Sequence, residues 1–133
     1  MSCPFDIATY IASTLAMGTL GTNVFVNSMP NSPDSAVTVY EYSGWPTTIG
    51  MGNPDTDVLE NLSLQVATRH PESSTAHARA QTIYRGLDGR GDLTINGVTY
   101  LWLRAAQAPF LLKRDENQRE TFVFNLAVQR RRG

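Results

Sequence analysis

The sequence predicts an α+β fold: a mostly antiparallel sheet with two helices packed on one face, in a single domain spanning residues 1–133. Three observations predict it. Apolar residues recur at helical spacing in two segments and alternate with polar ones in several others. A third cue is Asn96-Gly97 between two β-prone triplets, the strongest short-range hairpin signal.

The first helix is expected over 6–17, where Ile7, Ile11 and Leu15 recur every four residues, Ala8 and Ala12 widen the stripe, and Gly18 can supply a left-handed stop. Val24-Phe25-Val26 reads as a short strand after the turn Gly21-Thr22-Asn23, and 27–34, with Pro30 and Pro33, as a turn-rich loop. Residues 36–42 alternate, with Val37, Val39 and Glu41 opposite Thr38, Tyr40 and Tyr42, which predicts a strand with one buried face. Residues 43–57 carry Gly44, Pro46, Gly50, Gly52 and Pro54 and read as a long loop, of the kind that is usually functional or mobile. A strand follows over 62–68. The second helix is capped by Ser74 or Thr75, with Ala76, Ala80, Ile83, Tyr84 and Leu87 on one face and Gly89 beyond its end. The hairpin pairs Leu93-Thr94-Ile95 with Val98-Thr99-Tyr100, and its second arm continues through Leu103 towards Pro109. Residues 113–118 form a charged turn, 119–129 a final strand burying Phe122, Phe124, Leu126 and Val128, and 130–133 a basic tail.

Apolar residues make up 41% and charged residues 17%, so the chain can bury a core and is not of the disordered class. Its lone cysteine, Cys3, excludes an internal disulfide framework and favours a reducing compartment. No apolar run is long enough to span a bilayer, and the first twenty residues lack the positive start of a secretory signal, which points to synthesis in cytoplasm and no membrane partner.

Net charge is −1, but it is unevenly spread. No Lys or Arg precedes Arg69, whereas Asp6, Asp34, Glu41, Asp55, Asp57 and Glu60 all precede it. From Leu101 onward Arg104, Lys113, Arg114, Arg119, Arg130, Arg131 and Arg132 outnumber Asp115, Glu116 and Glu120. Two readings stay open. The molecule has an acidic and a basic side that could match between neighbours, or the fold interleaves the halves and evens out the surface.

Candidate chemistry is sparse. His70 and His77 have no second cysteine or acidic cluster beside them, so no metal site is expected, and both read as solvent-facing. Gly50-Met51-Gly52 and Gly89-Arg90-Gly91 complete neither a P-loop nor a dinucleotide fingerprint, and there is no Gly-x-Ser-x-Gly elbow. Asp55 and Asp57 read as solvated turn residues. No catalytic residue and no cofactor are expected, and the chain does not read as an enzyme. The run Arg130-Arg131-Arg132 alone is weak support for nucleic-acid binding; contact with an acidic neighbour and a solubilising tail are both open. Tyr40, Tyr100, Trp102, Phe122 and Phe124 are expected in the core, while Trp45 is either an interface anchor or a cover for the core.

Several segments, taken in order, resemble the bacteriophage minor capsid/tail-terminator family. They are the N-terminal helix followed by Leu20-Gly21-Thr22-Asn23-Val24-Phe25, then Met29-Pro30-Asn31-Ser32-Pro33-Asp34, then Ala36-Val37-Thr38-Val39-Tyr40-Glu41. Leu64-Gln65-Val66 leads into the second helix, and the hairpin is followed by Gln107-Ala108-Pro109-Phe110, Arg114-Asp115-Glu116-Asn117 and Phe122-Val123-Phe124-Asn125. The resemblance covers nearly the whole chain, and the order and spacing of the segments carry it. It implies a homo-oligomeric ring, usually a hexamer, on the head-proximal end of the virion tail. Such a ring stops polymerisation of the tail-tube protein and meets the head-tail connector or head-closure protein, and DNA passes through its lumen without sequence-specific binding. The expected interface residues are Trp45, Ile49 and Met51 of the long loop, Arg114, Asp115, Glu116 and Arg119 of the charged turn, and Arg130, Arg131 and Arg132 of the tail. A head-closure adaptor ring and a small ligand-binding α+β module are the alternative functions.

Overall fold

Ser2 opens the first helix in the computed structural model, which describes residues 2–49 and 58–131. Its hydroxyl accepts the Phe5 N–H, Pro4 sits in the first turn, and Asp6 lies near the positive helix end, so α1 spans Cys3–Ser13, starting and ending earlier than the periodicity predicts. The helix stops early because Ala16 takes the left-handed turn expected of Gly18, at φ 55°, and the Met17 N–H closes on the Ile11 carbonyl.

Strand β1 (Val24–Val26) pairs in parallel with β2 (Ala36–Ile49), and β2 pairs antiparallel with β3 (Val58–His70). β2 therefore runs seven residues past the predicted strand end at Tyr42, into the segment read as loop. The ladder tolerates Gly44 and Pro46 because its register shifts between Glu41 and Ser43 and again between Trp45 and Thr48; the second irregularity holds the proline, which has no N–H to donate. Helix α2 (Ser73–Leu87) begins after Glu72, whose carboxylate accepts from Thr75 Oγ1 at 3.2 Å; neither Ser74 nor Thr75 is the cap. Ala76, Ala80, Ile83 and Leu87 form its buried face. Gly86 lets it approach the segment after α1, since a Cβ there would lie 2.6 Å from the Leu15 side chain.

The hairpin β4 (Gly91–Ile95) and β5 (Val98–Ala105) forms as expected, with positive φ at both Asn96 and Gly97. Two strands complete the sheet: β6 (Phe110–Arg114), which the sequence reading does not predict, and β7 (Glu120–Arg131), which extends through Arg130 and Arg131 where a tail was expected. Sheet order is β1-β2-β3-β7-β5-β4, with β6 beside the first part of β7 and β5 beside its last part. All these pairings except β1–β2 are antiparallel, so the protein is α+β with a mostly antiparallel sheet. α1 lies against β1, β2 and β4, while α2 lies against β3, β5 and β7. Since β1 and β4 end the sheet path, the sheet curls so that both ends reach α1. Ile7 and Ile11 of α1, Ile83 and Leu87 of α2, and Val39, Leu64, Phe124 and Leu126 of the sheet share one core.

Candidate assembly interface

β6 departs from the burial logic of its neighbours. Phe110, Leu111 and Leu112 are 41%, 50% and 51% exposed, and every residue of the strand is exposed. Successive strand side chains point to opposite faces, so three exposed apolar residues in a row mean that neither face of β6 is covered. One edge of β6 is held by β7, through the pairs Phe110–Val123, Leu111–Phe122, Lys113–Thr121 and Arg114–Glu120. Its other edge pairs with no strand among the described residues. An apolar strand open on both faces and one edge is a candidate association surface.

The charged turn after β6 is tied down from below. The Asp115 carboxylate accepts the N–H groups of Asn117 and Arg119, at 2.9 and 3.0 Å, and pairs with Arg119 Nε at 2.8 Å. These bonds, with the Arg119 N–H foremost, hold the Asp115 carboxyl below its usual range. Arg119 is buried, and its guanidinium also donates to the Asn31 carbonyl, to Asn31 Oδ1 at 2.8 Å and to Asp34. Arg69, equally buried, donates to the carbonyls of Pro30, Pro33 and Asp34. Arg119 thus fastens the 30–34 segment against the 115–119 turn and Arg69 fastens it to β3, beside a cleft of about 340 Å³. Arg114 stays outside with a largely exposed side chain, paired with the buried Glu120.

A second polar cluster sits where β7 ends. Arg130 Nε contacts Glu60 at 2.9 Å, and its Nη1 reaches the Tyr100 hydroxyl at 3.4 Å and Asp6 at 3.8 Å. The fully buried Asp6 accepts from Tyr100 at 2.5 Å and from Asn96 at 2.8 Å. Burial pushes the Tyr100 hydroxyl up, so it stays protonated as the donor. Burial also raises the Cys3 thiol, to about 12, which keeps it protonated and unreactive.

These contacts change the picture of the expected interface. Arg114, Glu116 and Arg131 are exposed, Asp115 and Arg130 are half-buried, and Arg119 is buried. Met51 and Arg132 lie outside the described residues, and Trp45 and Ile49 are described only as backbone positions in the β2 ladder. Asp6, Asp34 and Glu60 of the acidic first half find Arg119 and Arg130 of the basic last third within the same chain, because the sheet sets β3 directly beside β7. Of the expected aromatics, Tyr100, Phe122 and Phe124 are buried and Tyr40 and Trp102 half-buried. His77 is exposed with its ring against Phe122, and His70 accepts the Glu72 N–H. The apolar residues of β6 were missed; the available signal was the unbroken run Phe110-Leu111-Leu112 between Pro109 and Lys113-Arg114, which no single strand face can bury.

The fold is thus a curled sheet with buried arginine ties and one exposed apolar strand. Residues 11–132 match the family model described as bacteriophage tail terminator protein. The chain belongs to that family and is therefore a structural protein of the virion tail. A solved structure of the virion of a native gene transfer agent particle contains a similar chain, with a TM-score of 0.58 at 13% identity, over 98% of this chain and 95% of that one. At that identity the likeness is one of fold. No curated protein matches the sequence.

Proposed function

We propose that copies of this chain close into a ring, a hexamer, on the head-proximal end of the tail tube. The ring stops addition of further tube protein and presents its other side to the head-tail connector, with DNA passing through the lumen. The single observation that carries this reading is β6, an apolar strand left open while most other large apolar side chains among the described residues are covered. The core shared by α1 and α2 supports a further part of the reading, that both helices lie on one face of the sheet. Exposed Arg114, Glu116 and Arg131 are available for contacts between subunits or with the connector, while Arg119 and Arg130 hold the surfaces that carry them.

Co-assembly with the tail-tube protein tests the proposal. Electron microscopy should show tubes of limited length with one ring at a single end. Tubes that grow equally long with and without the chain, and bear no terminal ring, would refute it.

A further inference from the structure

The sheet edge opposite β6 carries a second apolar surface. Phe5, Leu20, Val24, Phe25 and Val26 line an open groove of about 240 Å³ along β1. The backbone edge there is already occupied at Val24, whose N–H donates to the Thr19 carbonyl and whose carbonyl accepts the Gly21 N–H. The groove therefore offers side chains rather than a long strand edge to extend.

Ladder register places this groove and β6 in the same rows of the sheet. One row runs Val24, Val37, Thr68, Phe122, Leu111, and the next runs Phe25, Thr38, Ala67, Val123, Phe110. Four inter-strand steps of about 4.8 Å separate the two edges by about 19 Å measured along the curled sheet. An apolar strand at one end of a row and an apolar groove at the other is what a head-to-tail contact needs, because such a contact joins two different patches of identical subunits. Charge agrees. Lys113 follows the apolar residues of β6, and Glu41 lies beside the groove, its N–H bonded to Asn27 next to groove-lining Ser28. Both are exposed, and neither forms an ion pair among the described residues.

We propose that β6 of one copy seats Phe110 and Leu112, which share a face with Lys113, in the β1 groove of the next copy, with Lys113 facing that copy's Glu41. The contact rests on the ring reading above and specifies which surfaces close the ring. Cysteine cross-linking in particles assembled with tail-tube protein tests it. Phe110→Cys and Phe25→Cys alter residues that are not buried, and the native Cys3 is too deep to compete. Mixed single variants should give disulfide-linked dimers on oxidation, each alone should give none, and a chain with both substitutions should give a ladder. Rings that form without cross-links, or with cross-links only to the tube protein, would overturn the docking and leave the ring reading standing. Absence of rings from the unsubstituted chain would overturn both. Lys113→Glu should cut ring yield about tenfold by setting like charges together, and adding Glu41→Lys should restore it. Unchanged yield, or loss without restoration, would remove the charge pair from the contact.

Discussion

β6 and β7 run side by side and both carry Phe and Leu, yet they meet opposite fates. In β7, Phe122, Val123, Phe124, Leu126 and Val128 are all buried, because β3 covers one edge, β5 and β6 share the other, and α2 lies against the strand. In β6, Phe110, Leu111 and Leu112 have β7 on one edge and little else. The difference lies in position, not composition. A strand in mid-sheet stabilises its own chain through its apolar residues, whereas the same residues on an outlying strand are left for another chain.

That contrast can be broken or sharpened by substitution. The largest effect is expected at Phe124, which is fully buried and meets Tyr84 edge-on at 5.7 Å. Phe124→Ala should lower the unfolding free energy by about 3–5 kcal/mol in chemical denaturation, the usual range for a large aromatic removed from a core. A smaller effect belongs to Glu120, which joins the two strands by pairing with Arg114. The Ser73 hydroxyl and the Arg114 guanidinium hold its carboxyl below the ordinary value of 4.5. Because the folded value is the depressed one, the contribution is fully present above the unfolded pKa and is lost as pH falls through the folded one. Glu120→Gln should therefore melt below the parent at neutral pH, with the two melting temperatures converging as the pH is taken well below the ordinary carboxylate value. A gap that held constant with pH would show that the pair does not join the strands as described. Least should happen at Phe110. In the unassembled chain Phe110→Ala should change stability by no more than about 0.5 kcal/mol, as is usual for surface positions. A loss approaching that of Phe124→Ala would mean that β6 is part of the core after all.

Regular segments were legible in the sequence because their signals are local. The turn at Asn96-Gly97, the alternation over 36–42 and 62–68, and the apolar face of α2 were each read from neighbouring residues, and the structure has them. What escaped depends on distant partners. Gly44 and Pro46 look like loop residues until β3 supplies a ladder with irregularities that accept them. Arg119 and Arg130 look like surface charge until the sheet brings Asn31, Asp34, Glu60 and Asp6 to them. Asp6 and Arg130 are far apart along the chain, and no spacing rule connects them. β6 escaped for a different reason: an exposed apolar triplet has no periodicity to detect.

The tie between Asp6 and Arg130 also bears on how the molecule comes to be folded. α1 leaves the ribosome before every other described element, and the strand that anchors it through Arg130 is the last of them to follow. Because β7 separates β3 from β5 in the sheet and also pairs with β6, these three strands each lack a final neighbour until it emerges. Contacts of such long sequence separation carry a loop-closure cost before any stabilising contact forms, and they slow folding. Until β7 has emerged, the nascent chain would thus hold helices and partly paired strands without a finished core.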